Sequence, residues 1–269
     1  MHRKSPKIAI GPAEIAGYGE NLAAGFRKIG VDARCYYRSP YTFTARETGY
    51  PFPSLLAQRV ESAGLKGNGR SPLTRIPARL LHRLLSFILL IRIITTCDHL
   101  ISLGGGVFLG TWEWRLARWC GCRVTVVFLG SESRPCYLGG NIVGRNRQAD
   151  TGEIRRLTAQ QKQRVRKVQS RTDHVISCEI IAHFLFKDYF DFFQIGFPRH
   201  VPAAPLSDDD EFPESSGEPV RILHAPSNPA AKGSAEWRTM IGELMSEGIR
   251  IQYEELTGAA AIRARSAVL

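Results

Sequence analysis

Six short apolar runs punctuate the first two hundred residues, at 7–11, 31–38, 99–103, 123–129, 174–178 and 192–197. Segments of helical periodicity lie between them, at 19–29, 76–95, 111–119, 158–170 and 180–190. Most of the runs are continuously apolar and do not alternate apolar with polar. A strand of that kind must be covered on both faces, and in a chain where strands and helices take turns the helices supply the cover. The order predicts a doubly wound parallel α/β domain over 1–206. At 269 residues and 43% apolar content, the chain has ample material for such a core.

Residues 207–219, beginning Ser207-Asp-Asp-Asp-Glu-Phe-Pro-Glu, are acidic, polar and carry Pro and Gly, which suits an exposed linker. A second α/β unit opens at 220–269. Its parts are a strand at 221–225, a loop at 226–233, a helix capped by Ser234 and running to about residue 247, and a strand at 249–256. In that loop Lys232-Gly233 stands just ahead of the helix start. Lysine charge and free backbone N–H groups converge there, an arrangement that suits phosphate. The Ala/Arg-rich tail at 259–269 follows a single further strand, so the second unit is expected to be incomplete and the chain truncated or frame-shifted.

Three turns leave the ends of strands in the first domain. Gly11-Pro-Ala-Glu-Ile-Ala-Gly17-Tyr-Gly19 matches neither G-x-G-x-x-G nor G-x-x-x-x-G-K-[ST]. It reads either as a ligand-approach turn or as a tight connection. Gly104-Gly105-Gly106 admits the same two readings. Gly130-Ser131-Glu132-Ser133-Arg134 brings a hydroxyl, a carboxylate and a guanidinium together. It suits a sugar or phosphate, or else a surface ion pair at a turn.

The formal charge is +11, which points to an anionic partner: nucleic acid, a phosphorylated substrate or an anionic membrane. Between Glu61 and Asp98 there is no acidic residue, and 75–92 reads as a basic amphipathic helix. It is too interrupted by arginine to span a bilayer but is able to lie on an anionic membrane face, or else simply covers the sheet. The second basic stretch, 145–171, lacks the interleaved aromatics of a nucleic-acid platform, so nucleic acid is not expected as a partner. Six scattered cysteines and seven histidines form no metal-ligand spacing. No G-x-S-x-G elbow is present. A nicotinamide oxidoreductase is disfavoured, because Tyr36, Tyr37 and Arg38 stand where an acidic residue would be needed. The first strand begins almost at once, without a leader, which predicts a cytoplasmic protein.

Taken in order, Gly17 and Gly19, the Gly130–Arg134 loop, and His224-Ala-Pro-Ser-Asn with Lys232-Gly233 resemble the family 4 retaining glycosyltransferases of the two-domain GT-B fold. The resemblance implies a GT-B-like doubly wound parallel-sheet N-terminal domain and an incomplete second Rossmann-like domain. It implies a glycosyltransferase moving sugar from a nucleotide-sugar to a glycan or lipid-linked acceptor. Lys232 and Gly233 would hold the donor diphosphate. Gly17, Gly19, Gly105, Gly106, Ser131, Glu132 and Arg134 would line the substrate. No metal or other cofactor is expected, since fixed cations and helix dipoles stabilise the leaving group. The catalytic residue is unassigned, for Leu129 stands where many relatives carry histidine, and the donor-binding half with its paired glutamates is not represented. Little turnover is expected of this chain. The alternative is a non-catalytic basic α/β protein that binds an anionic polymer or a membrane surface, peripherally at the inner face.

Overall fold

Strand β1 (Lys7–Gly11) sits inside a fully parallel six-stranded sheet of order β2-β1-β3-β4-β5-β6. The computed structural model describes residues 5–15, 17–39, 50–62, 72–138, 150–196, 198, 219–226, 229 and 232–256, with backbone alone at 72–75. The other strands are β2 (Asp32–Cys35), β3 (His99–Leu103), β4 (Arg123–Val127), β5 (His174–Ser177) and β6 (Phe190–Asp191). Helices α1 (Tyr18–Lys28), α2 (Ser54–Val60), α3 (Pro72–Thr96), α4 (Glu113–Trp119) and α5 (Thr151–Gln169) lie between them, and the short α6 (Phe192–Ile195) follows β6. The result is a Rossmann-like α/β sheet, as the continuous apolar runs require.

Alternate side chains of the strands feed two cores. Ala9, Leu100, Val124 and Val126 pack with Leu89, Ile93 and Trp114 on one face. Ile8, Ile10, Ile101, Leu103 and Val127 pack with Tyr18 and Ala23 of α1 on the other. Helix α1 begins at Gly17, which adopts the left-handed conformation (φ 79°). The helix carries Glu20 in its first turn and Arg27 and Lys28 in its last, matching the helix dipole at both ends.

Strands 7–11 and 99–103 coincide with the expectation, and three other runs begin or end within a few residues of it. The last two elements of the domain differ. Residues 180–190 do not form a helix; a single 3₁₀ turn (Glu179–Ile181) is followed by open chain. Side chains from elsewhere hold this backbone. Ser133 Oγ donates to the Ile181 carbonyl (2.9 Å), and Gln169 Oε1 accepts from the Phe186 N–H (3.0 Å). The run at 192–197 opens as a helical turn, and the strand precedes it at Phe190–Asp191. Asp191 is the reason: its carboxylate accepts the Phe193 N–H (2.8 Å), an N-cap that starts a helix where the apolar run suggests a strand. Helix α5 starts seven residues earlier than expected, and α2 has no counterpart among the helical segments of the sequence.

The chain divides into two compact units, the sheet domain (residues up to Leu138 with Ile154–Arg199) and a smaller one carrying the C-terminal elements. The smaller unit contains β7 (Val220–His224), α7 (Ser234–Ser246) and β8 (Ile251–Glu255), with β7 and β8 parallel. Residue Gly233 (φ 65°), not Ser234, is the N-cap of α7. The Ser234 hydroxyl is engaged with His224 Nε2 (2.8 Å) and makes no cap bond. The expected linker at 207–219 lies outside the described residues except for its last position, as does the tail at 259–269.

Candidate functional site

The strand order reverses between β1 and β3, with β2 on one side and β4 to β6 on the other. Crevices at such a switch point, beyond the carboxyl ends of the strands, are where open α/β sheets hold ligands. The three turns singled out in the sequence leave β1, β3 and β4 at this edge, and they meet there. A side chain at Gly104 would touch both Ile15 Cδ1 and Glu132 Oε1 (3.0 Å each), so all three turns converge on that point. A side chain at Gly106 would press on Pro12 and on the Leu103 carbonyl (3.2 Å each). Gly105 (φ 64°) turns the chain in the left-handed region above Phe128 and Val168.

Gly17 and Gly19 shape the first turn and the start of α1. Gly17 supplies the left-handed entry to α1. A Cβ at Gly19 would run into the Tyr37 hydroxyl and come within 2.9 Å of Glu14 Oε2. The N–H groups at the helix start are already taken. Buried Glu14 accepts from Ile15 (2.7 Å), Gly19 (3.1 Å) and Glu20 (3.0 Å), and from the Tyr37 hydroxyl. Tyr50 in turn donates to Glu20. Burial, reinforced by Cys35 and Glu14, drives the Tyr37 hydroxyl far above its ordinary pKa, so it stays a donor.

The second turn is closed in the same way. The Glu113 carboxylate, fully buried, accepts from Phe108 (2.8 Å), Leu109 (2.8 Å) and Gly110 (3.2 Å). Its pKa is raised by burial, against the pull of those three N–H groups and of Arg38. Arg38 itself donates to the Phe108 carbonyl (2.8 Å), joining the end of β2 to this turn. Neither Glu14 nor Glu113 is a residue the motifs point to. The only signal in the sequence is an acidic residue within a few positions of a glycine turn and a helix start.

The third turn is held but not satisfied. Gln161 of α5 donates to the Ser131 carbonyl, and buried Ser133 is engaged with Ile181. The Ser131 side chain is exposed. Glu132 Oε2 and Arg134 Nε are both inaccessible to solvent and lack a hydrogen-bond partner. Leaving such atoms unpaired costs about 1–3 kcal/mol each. Glu132 lies against Gly104 through Oε1, and the unpaired Oε2 is the other oxygen of that carboxylate, on the side of Gly130.

In the smaller unit Lys232 is exposed and directly precedes the start of α7. The Pro229 carbonyl accepts both the Lys232 N–H (3.2 Å) and the Ser234 N–H (3.1 Å), which folds the loop back onto the helix start. His224 stacks with Trp237 and Tyr253 (5.8 and 6.5 Å between centroids) beneath it. Lys232 and Gly233 belong to this unit and the other site residues to the sheet domain.

Among the described residues there is no cluster of three or more His, Cys, Asp or Glu side chains able to hold a metal ion, and no helix long and apolar enough to cross a membrane. Compared with known proteins, the chain matches no family model, and no curated protein is significantly similar to it.

Proposed function

We propose that the sheet domain is the acceptor-holding half of a sugar transferase of the GT-B type, and that the smaller unit opens its donor-phosphate half. The observation that carries the reading is the turn after β4, where Glu132 and Arg134 each hold a buried polar atom without a partner and Glu132 reaches Gly104 of the neighbouring turn. A carboxylate oxygen and a guanidinium N–H are complementary to sugar hydroxyls, which both donate and accept. The neighbouring turns support a neutral ligand over a phosphate, because Glu14 and Glu113 occupy the N–H groups a phosphate would use. Lys232, exposed before α7, is the corresponding candidate for a diphosphate, with a nucleotide-sugar as donor and a glycan or lipid-linked sugar as acceptor.

Ligand-observed NMR on the full chain tests this, with UDP-glucose and GDP-mannose as donor probes and maltose and cellobiose as acceptor probes. Lys232→Ala is expected to weaken nucleotide-sugar binding about tenfold, a loss of ~1.4 kcal/mol, and to leave disaccharide binding unchanged. Glu132→Ala is expected to do the reverse. Absence of binding by both nucleotide-sugars and both disaccharides would overturn the reading.

A second reading, in which the protein works at an anionic membrane surface, is favoured by one feature of α3. A cytoplasmic protein attached peripherally to the inner membrane face belongs to that reading.

A further inference from the structure

Helix α3 has two apolar faces. Leu85, Leu89 and Ile93 are almost wholly buried, at 4%, 0% and 0% exposure, and form part of the sheet's core. On the opposite side Leu80, Leu84, Phe87 and Ile91 recur at steps of four, three and four residues, which places them in one stripe. They are 62%, 55%, 43% and 37% exposed. Ile76 (54%) and Ile88 (40%) extend the stripe along and beside it. A helix of 25 residues is about 37 Å long, so the stripe is an elongated apolar surface and not a scatter of single side chains. A surface helix ordinarily carries one apolar stripe, turned to the core. Here a second one is exposed.

The charges bordering the stripe identify its partner. Arg79 and Arg83 are exposed one turn apart on the same helix, and neither has an ion pair among the described residues. No acidic residue occurs anywhere from 62 to 97, so nothing in this segment offsets them. A second copy of the chain docking stripe to stripe would bring arginine against arginine. An anionic bilayer instead offers acyl chains to the stripe and phosphate headgroups to the arginines. Arg92, at the other end, donates to the carbonyl of Phe52 (2.7 Å), so the 69%-exposed Phe52 stands close to the same helix.

We infer that the outward face of α3 is a docking surface for an anionic lipid membrane, with the helix lying in the interface plane, its apolar stripe inserted and Arg79 and Arg83 on headgroups. The inference is independent of any catalytic role at the switch-point edge.

The test is co-sedimentation of the full chain with vesicles of phosphatidylcholine alone, and with vesicles of equal parts phosphatidylcholine and phosphatidylglycerol. Binding is expected to the second and to weaken with added salt. Leu84→Glu and Phe87→Glu replace half-exposed residues, so each variant should retain the wild-type circular dichroism and melting curve. Each is expected to lower vesicle affinity at least about tenfold. Arg79→Glu and Arg83→Glu should each lower it roughly fivefold. The inference is overturned by no binding to either vesicle type, by equal binding to both, or by folded Leu84→Glu and Phe87→Glu variants that bind like the wild type. It is equally overturned if analytical ultracentrifugation shows a dimer that Leu84→Glu converts to monomer without any vesicle binding.

Discussion

The Tyr37 hydroxyl donates to the same Glu14 oxygen that accepts the Glu20 N–H, so one buried atom ties the end of β2 to the start of α1. Tyr37→Phe removes that donor and leaves the carboxylate short of a partner in a buried setting. The expected loss is about 1–3 kcal/mol of unfolding free energy by guanidinium titration. Gly19→Ala should cost at least as much, because its methyl group needs the space of the Tyr37 hydroxyl. In the Tyr37→Phe background part of that cost should vanish, since the two share one cause.

Glu113 makes a pH-dependent contribution. Its carboxyl pKa is raised in the fold, chiefly by burial, so the native state holds this proton more tightly than the unfolded chain does. The associated stability is complete below the unfolded carboxylate pKa of about 4.3, and is lost as pH rises through the raised folded value. Glu113→Gln should flatten this part of the stability–pH curve. Glu113→Ala, which strands three backbone N–H groups, should cost at least about 2 kcal/mol at neutral pH.

His99 works in the opposite sense. Burial and the neighbouring His174 ring, stacked at 6.4 Å, lower its pKa. Above the unfolded histidine pKa of about 6.5, both states are neutral and nothing is gained or lost. As pH falls below that value the unfolded chain takes up a proton that native His99 resists, so stability drops. His99→Asn should remove part of the acid-side slope in thermal melts between neutral pH and pH ~5. An unchanged slope would show that another group carries it.

All six cysteines are free thiols, and they differ in access. Cys120 is exposed and should react first with a thiol reagent such as DTNB. Cys122, two residues away, is buried and pushed up to about 12, chiefly by that burial, so it should stay silent until the protein unfolds. Cys97, half-buried, should react at an intermediate rate.

The parts of this fold that the sequence discloses are those governed by burial on two faces. Lys7–Gly11 and His99–Leu103 are strands buried along nearly their whole length, as runs covered on both faces should be. Elements governed by one polar atom are less legible. Asp191 turns an apolar run into a helix start, and Gln169 and Ser133 hold residues 181–186 out of a helix. The site follows the same division. Glycines at strand ends mark the three turns in the sequence, and the turns do converge. The occupant of the first turn could not be read. A carboxylate between two glycines carries no sign of its direction, and Glu14 points inward only because Tyr37, from another strand, is there to meet it.

Glu14 is covalently attached to the turn it fills, and a tethered group competes at an effective concentration in the millimolar range or above. A free phosphate or carboxylate arriving from solution would have to displace this internal rival and also restore a partner to the Tyr37 hydroxyl. The first turn is therefore insulated from the ionic content of its surroundings. Its geometry should be the same in phosphate buffer as in chloride, and any ligand held at this edge would bind with Glu14 in place.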